Sequence, residues 1–337
     1  LYISIFKKKI KLFLDKSTNE FKEDILTGLC NGSQKSLPSK YLYDDVGSEL
    51  FEKITLQPEY YPTRTEIKLL DDYAKNIMDN IQKEIVLIEL GSGSSRKTKL
   101  LFNEILKKQK TLYYFPIDIS FNFLSSVVAS LENSLKNVIV KGIPYEYIDG
   151  MTHCNNILFE SNVEFASISR LIIFLGSSIG NFEIEEARTF LKNIRLNMTN
   201  NDFLLIGFDL VKDDILIENA YNDKNGITRQ FNLNLLNRIN KELGANFIIN
   251  NFSHKAFYNQ NKKRVEMHIV SNKDQKVYLS TLDKEIEFKK SETIHTENSY
   301  KYSNSEIREL IKRAGFSIVQ EFLDDKYWYE LVLLKTA

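Results

Sequence analysis

Cysteine is scarce in this chain: 337 residues carry two, Cys30 and Cys154. Two cannot build a disulfide framework or a CxxC metal site. Histidine is nearly as sparse. His153, His254, His268 and His295 lie apart, with no HExxH or HxH pair, so no protein metal site is expected. No sign of charge predominates, because 45 Lys and Arg face 45 Asp and Glu. Without a sustained basic block the electrostatic footprint of a nucleic-acid binder is missing. No apolar run reaches the ~18 residues that a membrane-spanning helix needs. The opening LYISIFKKKIKLFLDK fails as a secretory signal, since Lys7–Lys9 and Lys11 interrupt its apolar stretch and no small-residue cleavage site follows. Residues 1–16 read as an amphipathic leader of a cytoplasmic, monomeric protein, with neither nucleic acid nor membrane as partner.

What is present is ordinary globular composition, 43% hydrophobic and 27% charged, over a length that favours two domains. From Ile85 strands and helices alternate. IVLIEL (85–90) is a continuous apolar run ending in Gly91-Ser92-Gly93, as a buried parallel strand requires. Residues 97–110 carry helical spacing, 111–120 a second strand, 121–135 a second helix and 137–142 a third strand. RLIIFLGSSIGN (170–181) and DFLLIGFDL (202–210) read as two more strands around a helix over 183–198. This rhythm means an α/β, doubly wound, Rossmann-like sheet. After Leu210 it breaks. A helix over 228–243 gives way to FIINNF, KAFYNQ, RVEMHIV, KVYLSTL and EIEFKK, whose period of two predicts antiparallel hairpins. A helix over 305–315 and two strands then close the chain. The expected division is a nucleotide-type domain of residues 66–210 and 301–337 against a substrate-binding domain of 17–65 and 211–300.

The most informative stretch is Glu89-Leu90-Gly91-Ser92-Gly93-Ser94-Ser95-Arg96-Lys97-Thr98. Glycines at a strand-to-helix turn let backbone approach a ligand that a Cβ would exclude. A dinucleotide fingerprint needs a third glycine where Arg96 stands. A P-loop matches Gly91, Lys97 and Thr98 but fails at the same arginine. The third reading, E-L-G-x-G, is the S-adenosylmethionine loop of class I methyltransferases. Asp118, at the carboxyl end of the second strand, suits the ribose hydroxyls of an adenosine ligand. The plainer alternative is that Asp118 caps the helix beginning near Phe121.

Leu42-Tyr43-Asp44-Asp45-Val46-Gly47-Ser48-Glu49-Leu50-Phe51, Pro58-Glu59-Tyr60-Tyr61-Pro62-Thr63-Arg64, FLGSSIGN (174–181) and Glu297-Asn298-Ser299 carry a more specific signal. Taken in order, from about Leu37 to the C-terminus, they resemble the histidine-specific S-adenosylmethionine methyltransferases of ergothioneine biosynthesis. The resemblance implies three Nα-methylations of L-histidine, giving hercynine, with S-adenosylmethionine as methyl donor. It implies cofactor contacts at Gly91, Lys97 and Asp118. The substrate carboxylate would meet Asn181 and Tyr221, and the α-amine Tyr43 and the carbonyl of Gly176. Tyr60, Glu297 and Ser299 would meet the imidazole, with Met267 against the ring. One departure stands out. Where the family places an Asp-Phe pair for adenine, this chain reads Lys141-Gly142-Ile143-Pro144, so adenine contacts are expected from backbone at Gly142 and from Ile143.

The chemistry agrees with that reading. Methyl transfer is an in-line displacement that needs a neutral, well-aimed amine. Choosing histidine needs polar groups for both ring nitrogens, and Glu297 and Ser299, at i and i+2, share one face of an extended segment. Two other functions compete: the same chemistry on tryptophan, a prenylated tryptophan or tyrosine, and a catalytically silent adenosyl-ligand module. The polar pair disfavours the former, and the full set of substrate-side residues disfavours the latter.

Overall fold

The computed structural model describes residues 18–31, 33–161 and 167–337; the leader segment 1–16 lies outside them. A helix over residues 18–30 (α1) opens the described chain. The short strand β1 (Lys35–Ser36) and helices α2 (Asp45–Thr55) and α3 (Tyr61–Asp79) follow. Pro62 sits in the first turn of α3, where a missing N–H leaves no helical bond unmade. Strands and helices then alternate: β2 (Glu84–Leu90), α4 (Lys99–Leu106), β3 (Leu112–Ile117), α5 (Phe121–Ser134), β4 (Val138–Val140), α6 (Tyr147–Glu160), β5 (Ile168–Phe174), α7 (Ile184–Leu196) and β6 (Phe203–Asp209). Two helices come next, α8 (Asp214–Ala220) and α9 (Ile227–Leu243). Five strands follow: β7 (Phe252–Asn259), β8 (Arg264–Ser271), β9 (Gln275–Leu279), β10 (Lys284–Phe288) and β11 (Thr293–Tyr300). Helix α10 (Asn304–Ala314) and strands β12 (Phe316–Leu323) and β13 (Tyr329–Thr336) end the chain.

One seven-stranded sheet runs β12-β13-β6-β5-β2-β3-β4. Its five central and distal strands are parallel, and β13 runs antiparallel to both β6 and β12. This is the doubly wound, Rossmann-like α/β sheet. Both of its faces are covered, which explains the unbroken apolar runs. Ile85 and Leu87 point into the layer under α3 and α4, while Val86 and Ile88 point under α6, α7 and α10. From β2 the chain steps outward to β4 and then returns to place β5 on the other side of β2. Connections therefore leave the carboxyl ends of β2 and β5 in opposite directions, and a crevice opens there.

A second sheet, β1-β11-β8-β7, draws β7, β8 and β11 from the stretch between β6 and α10, as does the hairpin β9–β10, while β1 joins it from the N-terminal segment. Its apolar face shares one core with α1, α2 and α9, drawing on Phe21, Ile25, Tyr41, Ile54, Leu236, Met267 and Ile294. Helices α1 and α2 are thus packed against the stretch from α8 to β11. Within this region FIINNF is not a strand: Ile249–Asn251 is a 3-10 turn and β7 begins at Phe252. Helix α6 also escapes a periodicity reading, because Gly150 and its asparagines are poor helix formers. Packing decides it. Met151, Cys154 and Leu158 face the core, and a Cβ on Gly150 would stand 2.5 Å from Ile117 Cγ2. Among the described residues no helix is long and apolar enough to cross a membrane.

A buried ion pair ties β5 to the loop before β6. Asp202 Oδ1 accepts from the Arg170 amide at 2.8 Å, and Oδ2 meets the Arg170 guanidinium and the Thr199 hydroxyl, the latter at 2.8 Å. Both side chains are 2% exposed. Removing one partner strands the other charge without water, a loss of about 3–5 kcal/mol. Asp202→Ala should therefore shift the urea midpoint far below wild type. A shift within experimental scatter would mean that Arg170 finds another partner.

Candidate active site

The first wall of the crevice is the turn between β2 and α4. Gly91 (φ +70°), Gly93 (φ +48°) and Ser95 (φ +53°) all take left-handed backbone, which the two glycines adopt without strain. A Cβ on Gly91 would stand 3.3 Å from the Tyr147 hydroxyl. The turn is tied to the end of β3: the amides of Gly91 and Ser92 donate to Ile117 O at 2.9 and 3.1 Å, and the Gly93 amide to Asp118 Oδ2 at 3.0 Å. Asp118 Oδ1 accepts from the Ser120 amide at 3.0 Å. Burial raises the Asp118 carboxyl above its usual range, while these amides pull the other way. Beneath the turn, buried Glu89 accepts from Thr98 Oγ1 at 2.5 Å and from the Tyr114 hydroxyl. Burial pushes Glu89 up to about 7.

The second wall is the turn after β5. Gly176 (φ +77°) and Ser177 (φ +55°) are both left-handed, and Ser177 can hold that strained form because its Oγ accepts from the Asp209 amide at 2.9 Å. The two walls are joined by Glu66 of α3, which has no solvent exposure. It receives Lys97 Nζ at 2.5 Å, the Tyr329 hydroxyl at 2.7 Å and the Gly176 amide at 2.8 Å. Between the walls lies a cavity of about 400 Å³, lined by Gly91–Lys97, Asp118, Ile119, Phe123, Tyr147 and Gly176.

A smaller chamber of about 40 Å³ adjoins it, sharing Tyr43, Phe51, Tyr60, Gly176, Ser178 and Asn181 with the larger one. Its far end is made by Tyr221, Met267, Glu297 and Ser299. Aromatic rings wall the junction: Tyr43 meets Phe51 and Phe231 edge-on with centroids 5.5 and 5.3 Å away, and Tyr60 meets Tyr221 at 6.3 Å. Burial lifts Tyr43, Tyr60 and Tyr221 well above the usual phenol range, so all three stay protonated at neutral pH. Glu297 Oε2 is buried and has no hydrogen-bond partner among the described residues. Burial pushes its carboxyl up to about 8, against the pull of Lys301.

Of the residues singled out in the sequence, Gly91, Lys97, Asp118, Tyr43, Tyr60, Gly176, Asn181, Tyr221, Met267, Glu297 and Ser299 all line one cavity or the other. Gly142 and Ile143 do not. Ile143 belongs to the core, and its amide donates to Pro116 O at 2.8 Å. The cavity edge there is made by Glu146, Tyr147, Ile148 and Asp149 instead. Asp118 is not the cap of α5, whose cap position is Ser120. Sequence reasoning missed Glu66, Asp209, Lys212 and Lys301, all buried charges. Asp209 accepts from Tyr61 at 2.7 Å, pairs with Lys301 at 2.8 Å and binds Lys212. Burial would raise Asp209, but Lys301 and Lys212 hold it below the usual carboxylate range. An acid or lysine on an element face ordinarily reads as solvated; the one available signal was Lys301 standing in phase with Glu297 and Ser299.

One group of possible metal ligands exists among the described residues: Glu266, His268 and His295 offer atoms within 4.8 Å of one another. Arg264 already binds Glu266 at 2.8 Å. The two imidazoles are stacked with planes 17° apart, so their in-plane lone pairs do not converge. This is a poor cation site.

A family model described as histidine-specific methyltransferase, SAM-dependent, matches residues 21–336. The histidine N-alpha-methyltransferase of Mycobacterium tuberculosis is 33% identical over 304 residues, 90% of this chain and 91% of that one. Ergothioneine biosynthesis protein 1 of Neurospora crassa is 34% identical, over 86% of this chain and 32% of its own length. An L-tryptophan methyltransferase of Psilocybe serbica is 28% identical, over 95% of this chain and 94% of that one.

The unpartnered carboxyl of Glu297 carries a stability cost with a definite pH dependence. Its folded pKa lies above the ordinary 4.5, so the stabilising contribution is full below pH 4.5 and is lost as pH rises through about 8. Glu297→Gln, which mimics the neutral acid, should match wild type near pH 4.5 and exceed it by about 5 kcal/mol above pH 8. Thermal unfolding across that range checks it. A stability difference that does not change with pH would show that Glu297 ionises in the folded protein as it does in the unfolded one.

Proposed function

The chain belongs to the histidine-specific, S-adenosylmethionine-dependent methyltransferases, and on that premise we propose that it methylates the α-amine of L-histidine three times, yielding hercynine for ergothioneine biosynthesis. The observation that carries this reading is the far end of the small chamber. A buried carboxylate oxygen without a partner and a serine hydroxyl stand two residues apart on one strand face, as a ring with two nitrogens requires. Residues 17–65 and 211–300 form the substrate-binding unit, and 66–210 with 301–337 the cofactor-binding unit.

The larger cavity fits an adenosyl ligand. Left-handed glycines bring backbone close, and both Asp118 oxygens, though each holds one amide, keep lone pairs for ribose hydroxyls. S-adenosylmethionine, when bound, supplies a methyl group on a positively charged sulfur. This chain's residues have to aim the amine at it. Ile148 and Asp149 are better placed for adenine than Gly142 or Ile143. Asn181 stands at the junction for the substrate carboxylate, whereas Tyr221, whose one hydroxyl proton goes to Ser299 Oγ, lies at the far end and leaves the carboxylate to Asn181. Tyr43 and Tyr60, protonated at neutral pH, orient the amine there but do not take its proton. Aromatic faces at the same junction attract ammonium groups, and they suit a nitrogen that becomes permanently cationic at its third methylation.

The rival substrate is tryptophan, on which one relative acts. An indole offers one N–H and no acceptor, so it leaves one of the two polar groups unsatisfied. A pocket built to hydrogen-bond its ligand can reject such an analogue by roughly 10⁴-fold. Incubating the twenty amino acids with enzyme and S-adenosylmethionine should give mass steps of about 14, 28 and 42 on histidine alone. Methylation of tryptophan in preference would sink the substrate assignment. For the cofactor side, Asp118→Ala should weaken S-adenosylmethionine binding by about 1–3 kcal/mol in calorimetry, the loss of a charged acceptor. Unchanged affinity would confine Asp118 to tying the glycine turn.

A further inference from the structure

With histidine taken as the substrate, we propose that Lys301 is a positioning residue that fixes the Ser299 hydroxyl as a donor into the chamber, so that the site binds neutral imidazole and refuses imidazolium. Lys301 follows β11 directly and is 2% exposed. Its ammonium has three N–H groups and no acceptor. All three are engaged: Asp209 Oδ2 at 2.8 Å, the Tyr221 hydroxyl at 3.0 Å and Ser299 Oγ at 2.8 Å. Tyr221, accepting from Lys301, donates in turn to Ser299 Oγ at 2.6 Å. Ser299 Oγ therefore uses both lone pairs on protein donors. What it has left is its own proton, and the direction left open is the chamber that it lines. A ring nitrogen placed there must be bare.

Glu297, two residues earlier, presents the opposite polarity through an oxygen with no partner. One donor and one acceptor match neutral imidazole, which has one bare nitrogen and one N–H. Imidazolium carries two N–H groups, and one would face the serine proton head-on. The polarity is set at a distance. Asp209 pairs with Lys301, and Lys212 and Tyr61 hold Asp209. The plainer alternative is that Lys301 only balances the charge of Asp209. The ionisable groups facing Ser299 are Glu297 and Lys301 from its own segment, Tyr221 from the end of α8, Tyr43 and Tyr60 from the N-terminal stretch, and Asp209 and Lys212 from the end of β6. Glu297 stays in place in every variant compared below.

Calorimetry of L-histidine with the enzyme holding S-adenosylhomocysteine, at pH 5.5 and 7.5, tests this. The imidazole titrates near pH 6.5, so about a tenth is neutral at pH 5.5. Wild type should bind about tenfold more weakly at pH 5.5. Lys301→Arg, which also only donates, should keep that ratio. Lys301→Met frees Ser299 to accept, and Ser299→Ala removes the opposing proton; both should bring the ratio below about threefold. If Lys301→Met fails to fold by circular dichroism, Ser299→Ala decides. A wild-type ratio below threefold, or variants that keep the tenfold ratio, would overturn the proposal while leaving histidine as the substrate. No binding to wild type at either pH would overturn the substrate assignment and this proposal with it.

Discussion

A carboxylate with no solvent exposure, Asp209 at the end of β6, is the constraint around which the smaller chamber is built. Burying a charge is expensive unless it is paired and hydrogen-bonded, and Asp209 meets both conditions through groups from separate parts of the chain. Lys301 comes from the end of β11, Lys212 from the start of the long insertion and Tyr61 from α3. Its own backbone amide holds Ser177 in a left-handed turn. The chamber walls therefore cannot drift apart one at a time. Moving any of them leaves a charge or a hydroxyl without its partner in a dry interior.

Helix α3 extends the same logic to the larger cavity. Tyr61 reaches Asp209, and Glu66, one turn further along, reaches Lys97, Gly176 and Tyr329. One helix thus grips both the strand that ends beside the chamber and the loop that faces the larger cavity. Gly207 shows how tightly this is packed, since a Cβ there would stand 2.4 Å from Glu66 Oε1. The relative placement of the two cavities is fixed by buried polar contacts on a rigid element. A reaction that needs an amine aimed along one line depends on that placement.

Much of the fold was legible in the chain. The apolar runs of β2, β5 and β6 are continuous because both faces are covered, and continuity is easy to see. Glycines at the two turns also announce themselves, since only backbone freedom explains them at strand ends. Helix α6 was not legible, because it forms by filling a space beside Ile117 and not by propensity. That Gly142 and Ile143 do not line the cavity was hidden for a similar reason: Ile143 is apolar and lies in the core, so spacing alone could not tell a core position from a cavity rim. Glu66, Asp209 and Lys301 were invisible for a deeper reason. A charged residue in a sequence carries no mark of burial, and Glu66 finds Lys97 and Tyr329 31 and 263 residues away.

Those hidden charges bear directly on selectivity. Glu297 and Ser299 alone do not define what a ring must offer, because a hydroxyl can donate or accept and a carboxyl with pKa near 8 can do either at neutral pH. A chamber with two ambiguous groups would discriminate poorly among neutral imidazole, imidazolium and indole. Ambiguity is removed by saturating one group from behind. Once Lys301 and Tyr221 occupy both lone pairs of Ser299, its donor role is set, and the unpartnered oxygen of Glu297 supplies the acceptor opposite it. Specificity of this kind is bought with native stability: the unpaired carboxyl is kept in the empty chamber at a cost that its ligand removes.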